Sequence, residues 1–131
     1  MANEAVLVFE TELPIPITVA DGTGLEKGTC LKLSDPFTGA ASSADNDLFG
    51  GILAEEKIVS DGRTKCAAYF GGVFKMAAGA AGFTVGKPVV YSGANLVVDT
   101  TAADNDLGYI VGKALETAAN AETGLVFVGR M

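Results

Sequence analysis

One stretch of this 131-residue chain occurs twice, and that repetition constrains the fold more than any other feature. Ala44-Asp45-Asn46-Asp47-Leu48 returns as Ala103-Asp104-Asn105-Asp106-Leu107, a shift of 103 − 44 = 59 positions. Gly24-Leu25-Glu26-Lys27-Gly28 returns in outline as Gly82-Phe83-Thr84-Val85-Gly86, a shift of 82 − 24 = 58. Each of the latter leads into an apolar-alternating run and a serine, Leu31-Lys32-Leu33-Ser34 and Val89-Val90-Tyr91-Ser92. Two landmarks in the same order at nearly the same offset indicate an internal duplication. Two copies are too few for an open solenoid. The expectation is two β half-units, roughly residues 24–74 and 82–131, closed on each other around one core, with Leu31 matching Val89 and Leu33 matching Tyr91.

Composition narrows the class. The length suits one domain able to bury a core without staples. Hydrophobic residues make up 49% of the chain and there are 17 glycines, which excludes a disordered polymer. β-branched residues and Gly or Asp turn signals are frequent and helix-length periodicity is scarce, so the expected class is all-β, a compact barrel-like domain over residues 21–131. The net charge of −7 with nine scattered Lys and Arg leaves no basic patch for nucleic acid. The N-terminus lacks the positive region of a secretory signal, and no apolar run approaches membrane-spanning length.

Residues 1–20 read as an extended arm. Leu13-Pro14-Ile15-Pro16-Ile17 fixes φ at alternate positions and excludes a helix or a central strand. Val6, Val8, Phe9, Leu13, Ile15 and Ile17 put apolar side chains on this segment, which would leave them and the backbone amides in water. The arm, prolines Pro14 and Pro16 included, is therefore expected to contact a neighbouring subunit or a larger partner by adding a strand to it. Strands are expected over 28–33, 51–59, 64–70, 86–91, 94–100, 108–115 and 124–128, with a polar loop over 34–47. Ser60-Asp61-Gly62-Arg63 is a hairpin signal. The alanine-rich stretch 73–82 is expected to form at most one or two helical turns, the chain's one short helix at most, because its glycines oppose more.

The residues offer little chemistry. There is no histidine, which removes imidazole bases and His-dependent triads. The doubled Asp-Asn-Asp is the one cluster of hard oxygen ligands. It lacks the alternate acidic positions, the Gly at six and the Glu at twelve of a calcium-binding EF-hand loop, and fits an Asx-type turn instead. Gly82 to Lys87 superficially suggests a phosphate loop, but Ala81 stands where the first Gly belongs and Pro88 follows the lysine. Glu55 and Glu56 are adjacent, so a strand would send them to opposite faces as solvated charges. Pairing of Cys30 with Cys66 cannot be read from the sequence, and two reduced, half-buried thiols are the preferred reading. No catalytic, cofactor or metal site is expected.

Gly51-Ile52-Leu53-Ala54, a hairpin, and Ala68-Tyr69-Phe70-Gly71-Gly72-Val73-Phe74 resemble a signature of tailed-phage head decoration, or capsid cement, proteins of the lambda type. Lys27-Gly28-x-x-Leu31-x-Leu33 fits the same group, so the resemblance spans roughly residues 20–131. It implies a β-tulip fold, a homotrimer, and binding to the major capsid protein on the outside of an icosahedral shell that the protein stabilises. Its place would be the virion exterior after synthesis in the host cytoplasm, with no role for nucleic acid, membrane, cofactor or catalysis. Two alternatives remain at this level: a carboxylate-based enzyme or small ligand-binding β-barrel, and another virion β-module such as a tail or spike piece.

Overall fold

The computed structural model describes residues 3–101 and 108–129. Eleven strands run through them: β1 (Val6–Phe9), β2 (Ile15–Thr18), β3 (Cys30–Asp35), β4 (Thr38–Ala41), β5 (Phe49–Leu53), β6 (Lys65–Tyr69), β7 (Gly72–Ala78), β8 (Pro88–Tyr91), β9 (Leu96–Asp99), β10 (Ile110–Ala114) and β11 (Thr123–Val128). Among the described residues there is no helix. The strands form two closed five-stranded barrels. In barrel 1 the order is β2-β4-β3-β5-β6, with β2 parallel to β4 and antiparallel to β6. In barrel 2 the sheet β7-β11-β10-β8-β9 is closed by a parallel pairing of β7 with β9. β1 is extra, laid antiparallel on β7.

The barrels share one connectivity, and the register repeats with it. Leu31 faces Ala41 and Leu33 faces Gly39 in barrel 1. A shift of 58 gives Val89 facing Asp99 and Tyr91 facing Val97 in barrel 2. After the β9–β10 connection the shift becomes 118 − 57 = 61: the bridge between Leu25 and Lys57 corresponds to that between Phe83 and Ala118. The second Asp104-Asn105-Asp106, which suggested 59, lies outside the described residues.

Two cores replace the single one expected. Period-two alternation explains why. Leu31 and Leu53 point into barrel 1 beside Ile17, Val19, Leu25, Cys66 and Ala68. Their neighbours Cys30 and Ile52 point the other way and join the interior of barrel 2, with Phe74, Met76, Phe83, Val89 and Tyr91. Barrel 1 is thus buried on both faces where it meets barrel 2.

Several local expectations change. The alanine-rich stretch is strand β7, whose seven residues are all buried except Lys75, followed by a turn closed by Gly82 N donating to Gly79 O at 2.9 Å. Burial on both faces decides its conformation against alanine's intrinsic preference. The expected loop 34–47 contains β4, which runs close over the core because Gly39 has no side chain: a Cβ there would sit 2.7 Å from Ile17 Cδ1. The hairpin signal at residues 60–63 lies inside a longer connection, 54–64, between β5 and β6. Each unit begins one strand earlier than the repeat indicated, with β2 and β7. The N-terminal segment is not a free arm over 1–20: β2 is a barrel strand and Ile17 is core, 1% exposed.

Candidate functional site

The segment that remains on the surface is the stretch from β1 to the start of β2. Leu7 packs against the barrel 2 core, so alternation turns Val6 and Val8 outward, and a bulge between Leu7 and Phe9 turns Phe9 outward as well. Leu13 is 78% exposed and Phe9 63%; Val6, Val8 and Ile15 are also exposed, and so is Pro16, while Pro14 is half-buried. Of the eight predicted contact residues, Ile17 alone is withdrawn into a core. Pro16 lies opposite Ala67 of β6, and β2 meets β4 at Thr18 only. A residue without an N–H is tolerated beside such an open edge.

Polar contacts hold this stretch in place. Ala5 N donates to Gly28 O at 2.8 Å, and Tyr69 Oη donates to Glu10 Oε2 at 2.8 Å. The hydrogen bond to Glu10, with burial behind it, raises the Tyr69 phenol above its ordinary value. Glu12 lies across Gly71, where any Cβ would collide with its carboxylate. The result is an apolar, acid-flanked strip fixed to the outside of both barrels, with β1 pairing on β7 alone. An exposed apolar edge strand invites a partner strand.

The other residues singled out by sequence have structural roles. Asp47 Oδ2 accepts from Ser43 N at 2.8 Å and Ala44 N at 3.0 Å, so it ties down the backbone before it and not the residue two positions on as the expected Asx-type turn would, while Asp45 bridges to Ser92 in barrel 2. Glu55 accepts from Ala67 N at 2.9 Å and pairs with Arg63. Both contacts, the Ala67 amide first, hold its carboxyl below the usual range. Glu116, its counterpart at shift 61, accepts from Leu125 N at 2.9 Å. Both cysteines are free and fully buried rather than half-buried. Burial, then the nearby Glu4 charge, pushes the Cys30 thiol up to about 12, so it is inert. No three His, Cys, Asp or Glu side chains among the described residues are placed to hold a metal ion.

Sequence reasoning missed Lys57. Its side chain is fully buried, and Nζ donates to Asp21 O, Asp21 Oδ1, Ile58 O and Asp61 Oδ1 at 3.1, 2.9, 2.6 and 2.7 Å. Desolvation lowers its pKa, but the bonds and charges of Asp61 and Asp21 outweigh it and leave the ammonium raised above its ordinary value. A shallow groove of about 430 Å³ runs beside it, lined by Gly24, Glu26, Glu56 and Ile58. With every Nζ proton engaged and the charge locked on, Lys57 is a strut and not a base. Asp21 and Asp61 are far from each other in sequence, so nothing in the linear pattern signals this arrangement.

The model of the phage cement protein family matches residues 9–130. The chain belongs to that family. It is a capsid-binding structural protein of the virion. Among solved structures, the head fiber gp8.5 N base of bacteriophage phi29 has the same fold, with a TM-score of 0.55 at 14% identity over 88% of this chain and 92% of that one. A search of curated proteins finds no match. The family's structural role in the capsid makes catalysis the weaker reading.

Proposed function

We propose that this chain binds the outside of an icosahedral phage capsid as a homotrimer and stabilises the shell, touching the major capsid protein through the strip Val6, Val8, Phe9, Leu13 and Ile15. The observation that carries the contact surface is Leu13, 78% exposed, and Phe9, 63% exposed, on a segment pinned by Tyr69 and Gly28. Large apolar side chains held rigidly in water contribute nothing to the fold and are pre-organised for a partner. The acidic residues around them and the net charge of −7 favour a capsid surface that offers Lys or Arg at the rim.

The variant Phe9→Asp with Leu13→Asp tests this. Both sites are exposed, so the melting temperature is expected to stay within the range of surface substitutions, about 0.5 kcal/mol per site. Capsid binding, measured by co-sedimentation with undecorated shells, is expected to weaken at least about tenfold, since buried interface anchors each contribute more than 1 kcal/mol. Unchanged binding would place the contact elsewhere on the molecule.

A further inference from the structure

The junction between the barrels is asymmetric. Barrel 2 inserts the tip of its β8–β9 hairpin, Tyr91 to Asn95, and barrel 1 receives it on the outer side of β3 and β5 and on the segment after β4. Asn95 Oδ1 accepts from Cys30 N at 2.8 Å, and Asn95 N donates to Ser42 Oγ at 3.2 Å. Ser42 Oγ donates to Gly93 O at 3.0 Å, and the Tyr91 ring lies 6.1 Å from that of Phe49. The two ends of the tip are buried, Tyr91 at 0% and Asn95 at 1% exposed, while Ala94 between them faces solvent.

Barrel 1 carries the same hairpin 58 positions earlier. Leu33 stands for Tyr91 (91 − 58) and Phe37 for Asn95 (95 − 58). Phe37 keeps the left-handed backbone of its counterpart, φ 50° against 58°, a conformation that favours Gly or Asn and is a genuine outlier for a bulky residue. It is 68% exposed. Leu33 N donates to Leu48 O at 3.0 Å, and exposed Leu48 widens the patch. A strained, exposed phenylalanine at a hairpin tip costs stability without return unless something covers it.

The receiving surface also has a second copy. Cys30 corresponds to half-buried Pro88 and Ser42 to half-buried Thr100 at shift 58, and Phe49 to Ile110 at shift 61, which is already covered within the chain at 8% exposed. The counterparts of Asp45 and Asn46 lie outside the described residues. Proline has no N–H and cannot serve an amide oxygen like that of Asn95. The barrel 1 tip brings no amide; it brings Phe37. On both sides of the unused junction, the polar pair Asn95 and Cys30 is replaced by the apolar pair Phe37 and Pro88.

We propose that the barrel 1 hairpin tip of one chain docks on the outer side of β8 in barrel 2 of a second copy, Phe37 against Pro88, repeating between chains the junction that exists within each chain. Such a head-to-tail contact either closes into a ring or grows into a fibre. This inference rests on the homotrimer reading above, in which the ring closes at three chains.

Light scattering on wild type and Phe37→Gly tests it. Glycine is at ease at φ 50°, so the variant keeps or raises the melting temperature of the folded chain. It is expected to dissociate to monomer, with association at least about tenfold weaker. Oxidised Phe37→Cys with Pro88→Cys is expected to run at three-chain mass on a denaturing gel, while either single variant does not. A Phe37→Gly protein that trimerises as tightly as wild type overturns this interface and leaves the trimer standing. Wild type that stays monomeric at the highest attainable concentration and on the capsid removes the trimer, and this proposal with it.

Discussion

The two barrels solve the same problem with different chemistry at the same place. In barrel 1, Leu25 and Lys57 exchange backbone hydrogen bonds of 2.8 and 2.7 Å. In barrel 2, Phe83 and Ala118 do the same, both at 2.9 Å. Around these matched ladders the side chains diverge. Barrel 1 fills the position with a leucine and a buried lysine whose charge is met by Asp21 and Asp61. Barrel 2 fills it with a phenylalanine ring over an alanine, and makes room with Gly124, where a Cβ would meet the ring at 3.0 Å. What is duplicated is backbone register. The packing was found twice, once by ion pairing around a small core and once by aromatic volume in a larger one.

That contrast can be broken at each barrel. Phe83→Ala has the largest expected effect, about 3–5 kcal/mol, because the ring is 1% exposed and its removal leaves a cavity between β-elements that cannot collapse. Urea denaturation reads it directly. A loss below about 1 kcal/mol would mean that barrel 2 does not depend on this ring.

Lys57→Met is expected to cost less, since methionine fills much of the same volume and Asp61 retains Arg63. Its signature is in the pH dependence. Asp61 is held below its ordinary range, by Lys57 first and then by the Arg63 amide, so its contribution is present above the unfolded carboxylate pKa and lost as pH falls below about 4. Lys57 is raised, so its contribution is present at neutral pH and lost as pH rises past about 10.4 into the folded value. Wild type minus variant stability should therefore be flat between about pH 5 and 9 and shrink at both ends. A difference that grows in acid would contradict the ion-pair account. Gly124→Ala is the smallest of the three, about 1 kcal/mol of overpacking against Phe83.

How much of this was legible in the sequence depends on the element. Strands β8, β9 and β11 were readable because short β-branched and aromatic runs bounded by turn residues cover Val89-Val90-Tyr91, Leu96-Val97-Val98 and Leu125-Val126-Phe127. The shift of 58 correctly paired Leu31 with Val89 and Leu33 with Tyr91 in the ladder. It did not carry their environments: Leu31 and Val89 are both 0% exposed, but Leu33 is 36% and Tyr91 0%. One hairpin is covered by the neighbouring barrel within the chain and the other is not, which no local pattern encodes. Strand β7 was hidden because Met76-Ala77-Ala78 is buried on both faces and shows no alternation, while alanine suggests helix. Of the surface strip, the exposure of Leu13 agrees with its place before Pro14, but that of Phe9 depends on a bulge in β1, and the loss of Ile17 to the core required knowing that β6 accepts β2.

The central claim, that this fold exists to hold on to a capsid, is tested most directly by mixing the purified wild-type chain with undecorated capsids of its phage and following both sedimentation and the temperature at which the shells rupture. Saturable binding to the shell exterior and a higher rupture temperature for the decorated shells are expected. A chain that stays in the supernatant at saturating concentration, or that binds and leaves the rupture temperature unchanged, would contradict it.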